Sequence, residues 1–483
     1  MRNIRAVETP REPSTSPAWA RWALVAITVA AAALRLPGLT AEEPWFDEVF
    51  SVVLASQELP ELWRRAVADQ TSPPGFYVLL WGWTRLGGFE LSWMRLLPAL
   101  AGTLTVPAMA LAARSARLSW AGALVAASLA AVSPLLLAMS SELRAYAPLA
   151  LLTSLALSLA LARRDRTAAL AGVGLVLLHY FGAFVVAALA TARLLDAPER
   201  PWSHRLRDAV RLGLPAALAL GAWVLLVLAA AGPEDVGGNA AWIDAFSWRD
   251  VPSFASQVVG TFGTTVGAVL VTTVLAWALV SAVAALRARA DGIRGAVSIP
   301  APLPVPLAVS LAVLPLLLAA SAGAISGKEL WVARYLIVSL PGWWLLLARL
   351  VDRAPGAWKE MALAAMLTWA GLAGIHAERT RPRKTAWSHV ARAIVAGGPR
   401  TICTAESFVA LPLRYHALRL ELPLTVLDLA ECTAPRAPAA ILLREGTEAA
   451  LEPVSRAGAV LGAHREMGTR LPATWWIPLS GPR

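Results

Sequence analysis

Residues 42–51, EEPWFDEVFS, place four carboxylates within seven positions, directly after a long apolar run. That run, WALVAITVAAAAL (22–34), contains no charged residue. An apolar segment of this kind is typical of a helix in a lipid bilayer, and the acidic stretch is then expected just outside the membrane. A cluster of acidic residues at a membrane edge indicates a candidate functional site.

The composition of the 483-residue chain extends this interpretation. Charged residues make up 16% of it and the mean hydropathy is +0.58, which excludes an ordinary soluble domain and a disordered chain. Apolar runs recur with basic residues between them, and short alternating segments typical of barrel strands are absent from the sequence. The sequence predicts a polytopic α-helical protein of the inner (plasma) membrane.

Eleven spans are predicted behind a cytoplasmic tail at residues 1–18, and together they form a membrane domain over 19–376. The run 74–87 is shorter than the roughly 20 residues that a span needs, so we expect it to be re-entrant or membrane-dipping. An odd number of crossings places the C-terminal region outside. The predicted spans are 19–37, 94–113, 119–138, 143–162, 167–179, 182–196, 211–231, 262–287, 303–325, 331–350 and 357–376.

The net charge of +11 follows the same topology. Most arginines lie in short loops between apolar runs, as the positive-inside rule expects of cytoplasmic loops, so no nucleic-acid partner is predicted. Acidic and aromatic residues cluster in the segments on the other side, above all in the outer loop 38–73. The sequence therefore predicts a candidate site that faces the periplasm.

From residue 386 the pattern changes to alternating helices and strands. AWSHVARAIVAGG (386–398) and SFVALPLRYHALR (407–419) indicate helices, whereas TICTA, LTVLDLA and AAILLRE indicate strands. We expect a small extracytoplasmic α/β domain over 377–483. Its cysteines, Cys403 and Cys432, could form one disulfide or remain two thiols, and unpaired thiols are favoured. His389 and His416 are interpreted as surface or core residues.

Two groups of ionisable residues stand in the first outer loop. Asp47 and Glu48 are adjacent, so their side chains point in different directions and could serve a reaction centre and a substrate. Alternatively, Asp47 caps a helix that begins near Glu48. Asp69 precedes the Pro73–Pro74 step, which leads into the apolar run containing Tyr77, and this segment could equally be a loop entering the bilayer.

Three further groups interrupt or border apolar runs. Ionisable residues there can snorkel, aromatic residues can form an interfacial belt, and a histidine can be a satisfied core residue, so each group has a purely structural alternative. The stretch LLHYFGAF breaks a run too long for one span, which predicts a hairpin with a histidine in its turn. The groups are Glu142, Arg144 and Tyr146; His179 and Tyr180; and Lys328, Glu329, Arg334 and Tyr335.

In order and context, six stretches resemble membrane glycosyltransferases of the GT-C fold, especially family 39 and its relatives, the protein O-mannosyltransferases and lipid A aminoarabinose transferases. The resemblance covers roughly residues 20–350. Its motifs are LPGLTAEEPWFDEVFSVVLAS, DQTSPPGFYVLL, SWMRLLPALAGTLTVPAMALAAR, SPLLLAMSSELRAYAPLALL, LHYFGAF and ARYLIVSLPGWWLLLA.

The resemblance implies an inverting transferase that moves a hexosyl or pentosyl group from a polyprenyl-phosphate donor to a hydroxyl acceptor at the outer face of the membrane. The acceptor would be a glycolipid, a polysaccharide or a protein. Inversion requires a base opposite the leaving group, and cations must stabilise the departing phosphate. The expected roles are catalysis by Asp47 and Glu48, donor-phosphate binding by Arg144, Lys328 and Arg334, and substrate binding by Asp69, Tyr77, Glu142, Tyr146, His179 and Tyr180.

Two points depart from the family or stay open. Some relatives carry a phosphate-contacting lysine at the Pro-Pro step, where this chain has Ser72, so Lys328 is its expected substitute. No cofactor is predicted with certainty, although Asp47, Glu48 and His179 could hold a divalent metal ion.

Two other functions compete with the transferase. A secondary transporter or lipid-linked-sugar flippase would carry ionisable residues near the middle of its spans, whereas here they gather in outer loops. A degenerate relative could act as a scaffold.

Overall fold

In the computed structural model, the described residues up to 353 are mainly helical and those from 386 onward are mixed α/β. It describes residues 17–195, 199–230, 304–328, 330–353, 386–396, 400–404, 407–428, 439–444, 460–461, 465–466 and 474–480. In this part of the chain the membrane-domain helices are α1 (Ala18–Arg35), α2 (Phe46–Ala55), α3 (Leu59–Asp69), α4 (Gly75–Gly87), α5 (Leu91–Ser115), α6 (Trp120–Val132), α7 (Pro134–Ser140), α8 (Tyr146–Leu161), α9 (Asp165–Leu178), α10 (Gly182–Leu195), α11 (Trp202–Ala230), α12 (Pro304–Ser326), α13 (Ala333–Leu336) and, after a 3₁₀ turn, α14 (Leu340–Arg353).

The helices confirm a polytopic membrane protein. Within the described ranges, five helical segments are long and apolar enough to cross a bilayer, and α6 with α7 forms a sixth candidate, bent by 55°. Helices occupy nine of the eleven predicted spans, although α8, α9 and α10 have 16, 14 and 14 residues and are shorter than a standard span. The predicted spans 262–287 and 357–376 and the tail over 1–16 lie outside the described residues.

Helix α5 is the central element of the bundle. It packs against α1, α6, α7 and α8, and most of its residues are buried. Its small residues allow neighbouring helices to approach closely: a Cβ added at Gly102 would lie 2.0 Å from Ser140 Oγ of α7. This close contact places the turn after α7 next to the first turns of α5.

A proline and a buried arginine produce the bend between α6 and α7. Pro134 lacks the N–H that would bond to the Ala130 carbonyl, and Ser133 caps the new helix by accepting a hydrogen bond from Leu136 N at 3.4 Å. Arg35, at the end of α1, donates to the carbonyl oxygens of Ala130 and Ala131 at 3.1 and 3.0 Å. The charged side chain therefore satisfies backbone groups that the bend exposes.

Helix α4 begins where the Pro-Pro step ends, directly against the end of α9. A Cβ added at Gly75 would lie 2.5 Å from the Leu177 carbonyl oxygen, so only glycine permits this approach. The 13 residues of α4 span about 20 Å, less than a bilayer's hydrocarbon thickness. Its re-entrant placement stays a prediction, but its start lies beside the predicted histidine turn.

The C-terminal elements follow the predicted alternation. Helices α15 (Trp387–Ala396) and α16 (Ser407–Arg419) occur with strands β1 (Thr401–Thr404), β2 (Thr425–Asp428), β3 (Ala439–Arg444), β4 (Val460–Leu461), β5 (Arg465–Glu466) and β6 (Thr474–Ser480). The sheet order is β2-β1-β3-β6-β4, with β5 on β6. Strands β1, β2 and β3 are parallel, whereas β6 pairs antiparallel with β3, β4 and β5.

Cysteine pairing differs from the favoured expectation. Cys403 on β1 is fully buried and disulfide-bonded, so the prediction of two unpaired thiols is wrong. Cys432 lies outside the described residues. Spacing alone could not decide this, because pairing depends on which strands become neighbours.

Candidate active site

The acidic pair lies in the first turn of α2, in the loop that is predicted to be outside. The helix begins at Phe46 behind the extended residue Trp45, which makes no side-chain cap. Asp47 and Glu48 therefore stand inside the helix, and the alternative that Asp47 is its N-cap is wrong. Both carboxylates are favourably placed at a helix N-terminus.

Glu48 is completely buried and forms a two-pronged ion pair with Arg95 of α5. Arg95 Nε donates to Glu48 Oε1 at 2.9 Å, and its Nη2 donates to Oε2 at 2.8 Å. The backbone N–H of Leu143 also donates to Oε1, at 3.0 Å. This carboxylate thus joins α2, α5 and the turn after α7.

Arg95 also fixes the loop that leads to α2. Its Nη1 donates to the carbonyl oxygens of Leu39 and Glu42, each at 2.7 Å. The sequence interpretation missed this residue, although a cation one turn inside an apolar helix is a recognisable signal of a buried partner.

Asp47 points in the other direction, toward Arg144. Asp47 Oδ2 lies 3.9 Å from Arg144 Nε, and both side chains are largely buried. Arg144 Nη1 donates to the hydroxyl of Tyr77, at the start of α4, at 3.2 Å. Three segments far apart in the sequence therefore meet at one carboxylate and one guanidinium.

Arg334 of α13 completes this cluster from the far end of the chain. Its guanidinium carbon lies 5.6 Å from the centroid of the Trp45 ring and 5.4 Å from that of Tyr335, and it interacts electrostatically with Asp47 and Tyr146. Within the described part of the chain, Arg334 Nε and Trp45 Nε1 are buried and have no hydrogen-bond acceptor. Two buried donors of this kind suit an anionic ligand.

Aromatic rings pack together next to Arg334. The predicted hairpin is confirmed, because α9 ends at Leu178 and α10 begins at Gly182, with His179 in extended conformation between them. The His179 ring lies 5.7 Å from Tyr146 and 5.3 Å from Tyr335, centroid to centroid. Its Nδ1 accepts a hydrogen bond from Phe181 N at 3.2 Å.

Asp69 ends α3, and Tyr180, in the turn between α9 and α10, contacts the residue that follows it. Asp69 accepts hydrogen bonds from Thr71 N at 3.3 Å and from the Thr71 hydroxyl. Burial raises the pKa of the Asp69 carboxyl, partly offset by these bonds and by the charge of Arg144. Tyr180 donates to the Gln70 carbonyl and accepts from Trp223 Nε1, both at 3.0 Å.

Two predicted substrate contacts have a different structural setting. Glu142 is buried in the turn after α7, where its carbonyl oxygen accepts a hydrogen bond from Arg144 N at 2.8 Å. Lys328 lies in the turn before α13, and its backbone N donates to Ser326 Oγ at 3.3 Å. Their contacts with substrate stay predictions, as do the roles of the other site residues.

The proposed metal set is not assembled. Within the described ranges, no group of three or more His, Cys, Asp or Glu side chains is arranged to hold a metal ion. Glu48 is paired with Arg95, and His179 Nδ1 is directed to the backbone. Asp47, Glu48 and His179 therefore do not form a joint ligand set in this structure.

The C-terminal α/β part contacts the outer loop just before Asp47. Glu43 accepts hydrogen bonds from Ser388 N, at 2.8 Å, and from the Ser388 hydroxyl. His416 Nε2 lies 3.4 Å from the Pro44 carbonyl oxygen, and the Phe408 ring packs on Phe46 with centroids 5.7 Å apart. Helices α15 and α16 thus brace the segment that carries the acidic pair.

This contact should weaken in acid. Burial at the interface lowers the pKa of His416, although Glu43 opposes the shift. The unfolded chain, with an imidazole pKa near 6.5, then takes up the proton more readily, so stability is full above that pH and falls as the pH drops below it.

We expect the unfolding midpoint of the wild type to fall more steeply between pH 7.5 and 5 than that of His416→Gln, as measured by thermal unfolding in detergent. His389→Gln is the matched control, because it removes an exposed imidazole from the neighbouring helix. Parallel profiles for wild type and His416→Gln would contradict the prediction.

Solved structures similar to this chain share its architecture. ArnT from Cupriavidus metallidurans bound to undecaprenyl phosphate matches with a TM-score of 0.56 and 14% identity, over 97% of this chain and 100% of that one. The archaeal oligosaccharyltransferase AglB from Archaeoglobus fulgidus, in complex with an inhibitory peptide and a dolichol-phosphate, matches with a TM-score of 0.51 and 12% identity, over 85% of this chain and 64% of that one.

Sequence comparison adds no closer relative, because no family model and no curated protein matches the chain. Both structural neighbours are GT-C glycosyltransferases. At these identities the likeness concerns the fold, and it agrees with the order of motifs in the sequence. The protein is therefore a multi-pass membrane protein with the GT-C fold.

Proposed function

We propose that the protein transfers a sugar from a polyprenyl-phosphate donor to a hydroxyl acceptor. The observation that carries this proposal is a cluster in which Asp47 lies close to Arg144 and interacts electrostatically with Arg334. Beside them, Arg334 Nε and Trp45 Nε1 are buried donors without an acceptor among the described residues. A carboxylate next to two guanidinium groups offers a base and an anion site within one cluster. The undecaprenyl phosphate bound to ArnT and the dolichol-phosphate bound to AglB support a donor of the same chemical class.

The chemistry assigns different tasks to the two kinds of group. Asp47 takes the proton of the acceptor hydroxyl as its oxygen attacks the anomeric carbon. The bond between that carbon and the phosphate oxygen breaks with inversion, and its electron pair leaves on the polyprenyl phosphate. Arg144 and Arg334 stabilise the charge that develops there.

Glu48 is a positioning residue in this scheme. Its carboxylate accepts three hydrogen bonds from Arg95 and Leu143, and it holds the first turn of α2 on α5. That attachment directs the adjacent Asp47 toward Arg144. A divalent metal ion held by Asp47, Glu48 or His179 stays a prediction, and no step of this scheme depends on it.

The site residues converge at one end of α4, α8 and α13, in the predicted outer region. Such placement supports chemistry at a membrane edge, where a prenyl tail remains in hydrocarbon while the sugar phosphate reaches the loops. Transport through a midplane site has no comparable support. The inner-membrane location and the periplasmic orientation are part of the proposal.

A transfer assay tests the function directly. Purified protein in lipid vesicles is supplied with a panel of radiolabelled sugars on polyprenyl phosphate and with an envelope extract as the acceptor pool. We expect label to leave at least one donor, with release of polyprenyl phosphate. Movement of intact donor across the vesicle without cleavage would instead indicate a flippase, and no consumption of any donor would count against the transferase.

Arg144→Ala should weaken donor binding. The guanidinium is expected to make charge-assisted hydrogen bonds to the donor phosphate, so its loss should raise the donor KM by about tenfold or more. Arg144→Lys keeps the charge without the fork and should have a smaller effect. Arg64→Ala, which removes an exposed charge from α3, is the control. Unaltered donor KM and rate in Arg144→Ala would exclude a phosphate role.

A further inference from the structure

A second cluster of basic residues lies at the opposite end of the bundle. Helix α5 has Arg95 beside the candidate site and Arg114 in its last turn, about 30 Å away along the helix, which is close to the hydrocarbon thickness of a bilayer. The start of α6 contacts the ends of both other helices: Ser119 donates to Asp352 near the end of α14, and the Trp120 ring lies against Arg114 in the last turn of α5. These helix ends carry Arg114, Arg349 and Arg353, and the turn between α5 and α6 carries Arg117.

Arg349 is the unexplained member of this basic cluster. Arg349 is buried, with 6% of its surface exposed. Its Nε and Nη2 have no hydrogen-bond acceptor in the described part of the chain. Its electrostatic neighbours are Arg353, which repels it, and Asp352. A buried guanidinium without hydrogen-bond acceptors is costly, so an anion is expected beside it.

Asp352 is engaged elsewhere in the cluster. Its carboxylate accepts hydrogen bonds from Ser119 N at 3.2 Å and from the Ser119 hydroxyl, and it thereby stabilises the start of α6. The same carboxylate lies 3.0 Å from the position of a Cβ added at Gly122. Asp352 therefore stabilises the start of α6, and its single negative charge does not balance the positive charges of the arginines at the helix ends.

Trp120 adds a second buried donor. Its Nε1 has no hydrogen-bond acceptor among the described residues, and the guanidinium carbon of Arg114 lies 4.8 Å from the centroid of its ring. Arginine and tryptophan together are typical of the membrane–water interface. Several donors without acceptors fit a group with several acceptor oxygens, and arginine forks suit phosphate.

We propose that Arg349, with Arg114 and Trp120, forms a binding site for the phosphate group of an anionic phospholipid. The site lies at the membrane interface opposite the candidate active site. Basic pockets between transmembrane helices bind lipid headgroups by this chemistry. A free phosphate ion would satisfy the same donors, but the distance along α5 favours a lipid, since it places the cluster at the bilayer edge. The inference does not depend on the proposed transferase activity.

Thermal unfolding tests the site with four additions to delipidated protein in detergent: none, phosphatidylglycerol, phosphatidylcholine and inorganic phosphate. Phosphatidylglycerol should raise the midpoint of the wild type by about 2–4 °C, and phosphatidylcholine should not. Arg349→Gln should lose this gain, and native mass spectrometry should show roughly ten- to a hundredfold weaker phosphatidylglycerol binding. Arg166→Gln, which removes an exposed charge after the α8–α9 turn, should behave as the wild type.

The phospholipid-free arm separates binding from a structural role. Without an anion, Arg349→Gln should be at least as stable as the wild type, because it removes a buried unpaired charge; with phosphatidylglycerol it should be less stable. An equal loss of stability in all four conditions would overturn the proposal. Protection by inorganic phosphate equal to that by phosphatidylglycerol, lost in Arg349→Gln, would support the phosphate site with a soluble ion as its ligand.

If Arg349→Gln cannot be purified, Arg349→Lys replaces it, since lysine retains the charge without the fork. Its binding of phosphatidylglycerol is then compared with that of the wild type. Equal binding of phosphatidylglycerol and phosphatidylcholine by the wild type would overturn the proposal regardless of any variant.

Discussion

Asp47→Asn is expected to lower kcat for sugar transfer by about two to four orders of magnitude, the usual contribution of a general base. Asparagine has nearly the same shape but cannot take the acceptor proton. Because the Asp47 carboxylate lies at the largely buried contact with Arg144 and not in the Glu48 ion pair, helix α2 should keep its position. The donor KM should therefore change much less than kcat.

The measurement is steady-state transfer from a radiolabelled donor, with expression, membrane insertion and monodispersity checked for each variant. Glu42→Gln is the matched control, since it removes a carboxylate from the same loop and leaves the backbone carbonyl that binds Arg95. Normal turnover in Asp47→Asn would remove Asp47 from the mechanism. A comparable loss in Glu42→Gln would indicate a general effect of loop charge instead.

Glu48→Gln is expected to destabilise the protein by about 3–5 kcal/mol, because it leaves the buried guanidinium of Arg95 without a charged partner. The exposed fractions of the two side chains are 0% for Glu48 and 2% for Arg95, so water cannot replace the lost charge. Transfer should fall as well, since α2 carries Asp47.

A double-mutant cycle distinguishes the ion pair from its two members. Arg95→Gln also loses the hydrogen bonds to the Leu39 and Glu42 carbonyls, so it should be at least as harmful as Glu48→Gln. The double variant should cost clearly less than the sum of the single variants, because it leaves no isolated charge, whereas each single variant does. Additive losses, or a single variant as stable as the wild type, would refute a positioning role for this pair.

Local pattern was sufficient for most of the helices. Apolar runs about a span in length, closed by Gly, Pro or Arg, predicted α1, α5 and α12 closely, and the two polar residues in LLHYFGAF were enough to predict the break between α9 and α10. The alternation after residue 386 likewise predicted α15, β1 and α16. These features depend on hydrogen bonds within a segment and on its preference for lipid or water, and both are encoded by neighbouring residues.

The candidate site was predictable only in part. Asp47, Arg144 and Arg334 were recognisable as ionisable residues at the edges of apolar runs, and the structure brings them together. Arg95 and Trp45 were not recognised, because their importance lies in partners rather than in sequence context. The alternative that Asp47 caps the helix was wrong for a local reason: the helix starts at Phe46, two residues before Glu48.

The partners of buried charges show where local information ends. Glu48 and Arg95 are 47 positions apart, and Arg334 reaches Trp45 across most of the chain. No local pattern specifies which of two adjacent carboxylates turns inward, since either could be buried if a guanidinium stood opposite it. The tertiary structure made that choice: it places Arg95 of α5 opposite Glu48 and Arg144 opposite Asp47, and Glu48 takes the buried position because a buried charge is stable only where a partner is already in place.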